Sequence, residues 1–173
     1  MPVTEPPVTA SLGNISLVVL STVPANLAAI PISAITAGKN ITCHTYGDWL
    51  PGASINKVNT KRKMCKKTTP QRLGTTTHDI PALQYSYMPQ AVGTAAAPGN
   101  EAYEALPEDA VRVFVLRLGK DGESDLVATD KYRVWVVQAG PQVPGVSQED
   151  EGGDMVINQE FGWAPGYSEP ILG

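Results

Sequence analysis

A chain of 173 residues, 42% of them hydrophobic, has the length for one domain of ordinary size, burying roughly 70% of the surface its unfolded form exposes. Charged residues make up 17%, and Gly and Pro together fill 31 of 173 positions, against about 25% and about 12% in soluble domains at large; this excludes coiled coils and helix bundles. The formal net charge of −4 is too small for nucleic-acid binding by overall basicity or for an acidic disordered tail.

Residues 1–12, with Pro2, Pro6 and Pro7, read as an extended arm whose order needs a partner. Residues 15–23 are rich in β-branched side chains and apolar on both alternating faces, the pattern of a strand covered on both sides. No charge falls in residues 6–38, but no Lys or Arg precedes this apolar run and Pro24, Asn26 and Pro31 interrupt it, which argues against a lipid-exposed helix; no membrane association is expected. A loop through Pro31 follows, and residues 41–46 are a candidate second strand before the turn residues Gly47-Asp48 and Pro51-Gly52.

Between residues 57 and 72 the character changes. Lys57, Lys61, Arg62, Lys63, Lys66, Lys67 and Arg72 place seven positive charges in sixteen residues with no acid among them, so the segment reads as a long exposed loop or hairpin. Residues 75–88 return to β-type composition around Pro81. Small residues over 91–99 form a connection, and residues 101–106 supply the one convincing helix, with Asn100 as its cap, Glu101 at the positive end of its dipole and Pro107 as its stop. Residues 111–118 and 131–139 pair as the clearest hairpin, joined through Gly119-Lys120-Asp121-Gly122. A loop over 140–153 carries Glu149-Asp150-Glu151, and residues 155–163 make a last strand before a Gly- and Pro-bearing C-terminal arm over 164–173.

Chemistry is poorly served. The two histidines, His44 and His78, lack a nucleophile motif beside them, and Cys43 and His44, adjacent on a strand, would face opposite sides. Cys43 and Cys65 are too few to scaffold a secreted domain and read as reduced thiols; with His44 and His78 they lack the close ligand pairs of a structural zinc site. Glycine-rich phosphate loops are absent, and the acids around Glu149 lack the spacing of a calcium loop. Neither catalysis nor a cofactor is expected. The basic segment contains no aromatic residue for base stacking. Residues 101–160, in contrast, hold thirteen acids and five basic residues, so positive loop and negative body can meet across an interface between copies, where such patterns fix register.

The opening strand Ile15-Ser16-Leu17-Val18-Val19-Leu20, the stretch Ile35-Thr36-Ala37-Gly38-Lys39-Asn40-Ile41-Thr42-Cys43, the long insertion, one short helix and Val113-Phe114-Val115-Leu116-Arg117-Leu118-Gly119-Lys120 together resemble the tail tube proteins of long, non-contractile-tailed bacteriophages, over roughly residues 11–165. The resemblance implies a mainly β fold, a β-sandwich or half-barrel with one flanking helix. It implies hexameric rings whose strands line a continuous barrel, stacked into the tail of the virion around a tape-measure protein and capped by tail terminator and distal tail proteins. DNA would pass through a weakly charged lumen without specific binding. The long loop, about residues 48–78, and the terminal arms would reach neighbouring subunits. On this reading the seven cations pair between subunits, and Glu123, Asp125, Asp130, Glu149, Asp150, Glu151 and Asp154 are their partners or face the lumen. Two other readings remain at the sequence level: a capsid-decoration or head–tail joining protein, and a monomeric β-sandwich carbohydrate or cell-surface binding module, which would display Trp49, Trp135, Trp163 or Tyr85.

Overall fold

The computed structural model describes residue 10 and residues 13–91, 99–127, 129–147 and 153–172. Most of the expected N-terminal arm, most of the small-residue connection, and Glu149, Asp150 and Glu151 lie outside the described residues. The fold is mainly β, a sheet curled into a half-barrel with only short helices.

Its strands are β1 (Ile15–Leu20), β2 (Lys39–Asn40), β3 (Thr45–Tyr46), β4 (Gly52–Asn59), β5 (Gln71–Asp79), β6 (Leu83–Ser86), β7 (Val111–Leu118), β8 (Tyr132–Val146), β9 (Met155–Trp163) and β10 (Ile171–Leu172), with helices α1 (Ile32–Thr36) and α2 (Glu101–Ala105). The main sheet runs β2-β1-β7-β8-β9-β6-β3, with β10 also pairing to β8, while β4 and β5 form a separate ribbon. Every pairing is antiparallel.

Alternation in the central strands divides the apolar side chains between two cores. Leu17, Val19, Phe114, Leu116, Trp135 and Val137 point to one face, where Trp49, Ala102 of α2 and Leu106 just after that helix cover them. Val18, Leu20, Val113, Val115, Val134 and Val136 point to the other, under Ile30, Ile35 and Ala164. The first core is keyed by edge-to-face aromatic contacts, with Trp49 5.1 Å from Phe114 and 5.7 Å from Trp135 between ring centroids. Coverage of both faces explains why β1, β7 and the start of β8 read as nearly continuous apolar runs.

Several local expectations are corrected. Residues 41–46 are a turn of 3-10 helix, Thr42–His44, between two-residue strands. The Asn40 side chain accepts hydrogen bonds from the Thr42 backbone N–H and hydroxyl, at 3.0 and 2.5 Å, and so competes with a ladder. Helix α1, absent from the sequence reading, starts after Pro31 and inserts the fully buried Ile35. Asn100 makes no capping bond; its side-chain amide bonds both the N–H and the carbonyl of Met88, at 2.8 and 3.0 Å. The pairing of β7 with β8 is as expected, Val113 opposite Val136, but their connection is an excursion over 119–131 rather than a tight turn. Strand β8 continues past Gly140 and Pro141 through an irregularity between Ala139 and Gln142. Residues 164–172 fold back on their own chain, because Tyr167 and Ile171 pack on the second core and β10 pairs with β8.

Candidate inter-subunit surfaces

The β4–β5 ribbon takes over where β3 leaves the sheet. Every residue of both strands is exposed except His78, which is half-buried. At its base the Trp163 indole N–H donates to the His78 carbonyl at 3.3 Å and that of Trp49 to the Pro81 carbonyl at 3.0 Å. Lys57 lies opposite Leu73 and Val58 opposite Arg72, with a register shift between Ile55 and Lys57. Gly74 sits at that irregularity, where an added Cβ would come within 3.1 Å of the Asn56 carbonyl oxygen. The turn at the tip is closed by hydrogen bonds to the Lys63 carbonyl from the Lys66 N–H and to the Lys66 carbonyl from the Arg62 guanidinium, both 2.9 Å. Lys57, Lys61, Arg62, Lys63, Lys66, Lys67 and Arg72 are all exposed on this one projection. Among the described residues none of them makes an ion pair. Ile55, Val58 and Leu73 are exposed too. A two-stranded ribbon with no packed face has little stability of its own.

The acids do not gather opposite it. Glu123 and Asp125 are exposed near the β2–β1 edge, lining a hollow with Val18 and Asn40. Asp154 is exposed beside β9, near the opposite edge. Asp130 is turned inward: its side chain is 1% exposed, it pairs with Lys120, and at 2.9 Å it meets the equally buried Arg117. These contacts, that to Lys120 first and that to Arg117 next, hold its carboxyl down to a pKa of about 2. Arg117 also donates to the carbonyls of Asp121, Ser124 and Asp125 at 2.7, 2.8 and 3.1 Å. Asp130 is therefore occupied within its own chain, paired with Arg117 and Lys120 rather than presented at the surface.

A groove of about 640 Å³ opens beside β3, lined by Tyr46, Tyr87, Met88, Pro89, Asp154 and Met155 among others. Met88 and Met155 are about half exposed. The Tyr46 hydroxyl donates to Asp154 Oδ2 at 2.9 Å, a bond that, with the adjacent carboxylate charge, raises the tyrosine pKa. The sequence reading missed this groove. Its walls come from the ends of β3, β6 and β9, and no linear motif joins them.

The family model of phage tail tube proteins matches residues 2–164. The chain belongs to the phage tail tube protein family. It is a structural component of the virion tail. A search of curated proteins finds no match.

As a tail tube protein the chain uses its aromatic residues inwardly. Trp49, Trp135 and Tyr85 are buried and Trp163 is half-buried over His78, so the aromatic binding face that a carbohydrate-binding module would display is not formed by them. The groups weighed as zinc ligands are spread apart in role: Cys65 is exposed in the tip of the ribbon, Cys43 lies beside Glu123, and His44 faces Glu101 at 3.5 Å and Ser86 at 3.4 Å. Polar side chains that do converge are structural. The Tyr85 hydroxyl donates to Gln159 Oε1 at 2.9 Å and accepts from Gln142 at 3.1 Å. Both glutamine amides donate to the Leu106 carbonyl, at 3.0 and 3.1 Å, which satisfies the open end of α2. Among the described residues no helix is long and apolar enough to cross a membrane.

Proposed function

We propose that this tail tube protein assembles as hexameric rings that stack around a tape-measure protein into the tube of a long, non-contractile phage tail, built in the host cytoplasm and closed by tail terminator and distal tail proteins. The finished tube conducts genome DNA during ejection without binding it specifically. The observation that carries this reading is the β4–β5 ribbon, which holds seven exposed cations and exposed Ile55, Val58 and Leu73 away from any packed face of its own subunit. Such a projection makes sense as a contact between copies. The half-barrel is compatible with the same reading, because its sheet is open and closure across subunits would turn the free N–H and C=O groups of its edges into continuous ladders, while the two-residue strands β2 and β3 blunt those edges against chance pairing. The low overall charge suits a subunit largely covered by its neighbours, since charged residues are depleted in interface cores. Cations held on a ribbon for use between subunits leave the lumen without a phosphate-binding lining.

Deletion of residues 60–70 with a short glycine turn in their place tests it. The variant should keep the native circular dichroism spectrum and give no tubes in negative-stain microscopy. Tubes of normal length from the deleted chain would contradict the assignment of the ribbon.

A further inference from the structure

The base of the ribbon and the groove lie at opposite ends of β9. The ribbon is anchored at the Trp163 end of β9, through the bond from the Trp163 indole to the His78 carbonyl. The groove lies at the Met155 end of the same strand. Eight residue steps separate the two, about 26 Å at about 3.3 Å per residue, and the ribbon pairs with no strand of the main sheet. A subunit so built carries a projection at one end and a receptacle at the other, the arrangement of a heterologous, head-to-tail contact that propagates.

The two surfaces also match in chemistry. At the ribbon's tip Met64 is fully exposed, a lone apolar side chain between Lys63 and Cys65, with Arg62, Lys66 and Lys67 close by. The groove offers Tyr46, Tyr87, Met88 and Met155 around an unbranched, adaptable side chain such as methionine, with Asp154 on its wall. Thioether against aromatic rings is a favourable contact, and a lysine-bearing turn brings cations to an exposed aspartate whose carboxylate, among the described residues, meets a tyrosine hydroxyl.

We propose that the groove of Tyr46, Tyr87, Met88 and Met155 is the receptor for the ribbon tip of a second copy, with Met64 seated among its apolar walls and the neighbouring lysines facing Asp154. This inference rests on the tube reading and names the contact that carries it from one subunit to the next.

The test uses the native Cys65 beside the tip. In a Cys43→Ser chain, Met88→Cys is added, the protein is assembled, and a short bis-maleimide is applied. Cys65 and the new cysteine should join different copies, giving a ladder of dimers and higher species on a denaturing gel. Controls are the Cys43→Ser chain without Met88→Cys, and the Met88→Cys chain with Cys65→Ser; both should give at least tenfold less product. Met64→Asp, exposed and so free of folding consequences, should raise the concentration needed for assembly at least tenfold. Normal tubes without a cross-link above the controls would overturn the proposal. So would a product that keeps the mass of one chain, because the tip would then fold into its own groove. Unchanged assembly by Met64→Asp would overturn it as well. Should the chain give soluble oligomers in place of tubes, the tube reading fails, and the same cross-link within those oligomers still decides the docking.

Discussion

Arg117 shows how a charged residue comes to lie at the centre of this fold. It sits on β7, 1% exposed, and gathers the 119–131 excursion through three carbonyls and the Asp130 carboxylate. A planar fork with five donors can do this and an ammonium cannot; one donor, Nε, has no partner among the described residues. Asp130 has its pKa lowered to about 2, against about 3.9 for an unperturbed Asp. A depressed carboxyl pKa stabilises the fold fully above the unfolded value, and that stabilisation is lost as pH falls through the folded one. Thermal melts should accordingly drop between about pH 4 and about pH 2 in the native chain. Asp130→Asn should lower Tm at pH 7 and flatten the profile across that window. A second residue-scale prediction concerns Tyr85, whose phenol is pushed well above its ordinary pKa mainly by burial. Tyr85→Phe leaves the buried Gln159 oxygen without its donor and should cost about 1–3 kcal/mol in urea unfolding, with an unchanged m value. Neither cluster was legible in the sequence. Tyr85 and Gln159 are 74 positions apart, and Asp130 looked like one more surface acid because its burial depends on where the excursion folds back.

Among the elements, those whose pattern is set by burial were readable. Residues 111–118 and 155–163 carry enough apolar side chains on the packed faces to fix both existence and bounds, and the strands fall there. Elements set by local hydrogen bonding or by one buried contact were not. The Asn40 side chain turns residues 42–44 into a 3-10 turn, α1 is anchored by the buried Ile35 with Ala34 beside it, and Gly140-Pro141, which read as the end of a strand, are absorbed as an irregularity within β8. The β4–β5 ribbon was legible as an exposed basic loop or hairpin because nothing apolar enough runs through it to build a core. Its lack of cover gives a third prediction. In unassembled subunits trypsin should cut first among Lys61, Arg62, Lys63, Lys66 and Lys67, leaving the half-barrel whole, and assembly should protect these bonds by at least tenfold in rate. Equal cleavage before and after assembly would mean that the ribbon makes no contact between copies.

At the scale of the whole molecule, the charge of −4 conceals segregation. Seven of the thirteen basic residues are held on one projection, while Glu123 and Asp125 lie by one sheet edge and Asp154 by the other. Contacts between exposed charges of opposite sign are screened as the Debye length falls from about 10 Å at 0.1 M salt to about 3 Å at 1 M, so the concentration needed for assembly should rise over that range. The family, the mainly β class and the absence of a linear catalytic motif could be read from the chain; the polarity of the subunit could not, because it arises only when β9 carries Trp163 and Met155 to opposite ends. The most direct test of the account is electron cryomicroscopy of the purified, assembled chain. It predicts long cylinders of stacked sixfold rings with residues 52–79 bridging one ring to the next. Isolated rings or compact particles, or cylinders in which that ribbon touches no neighbouring copy, would contradict it.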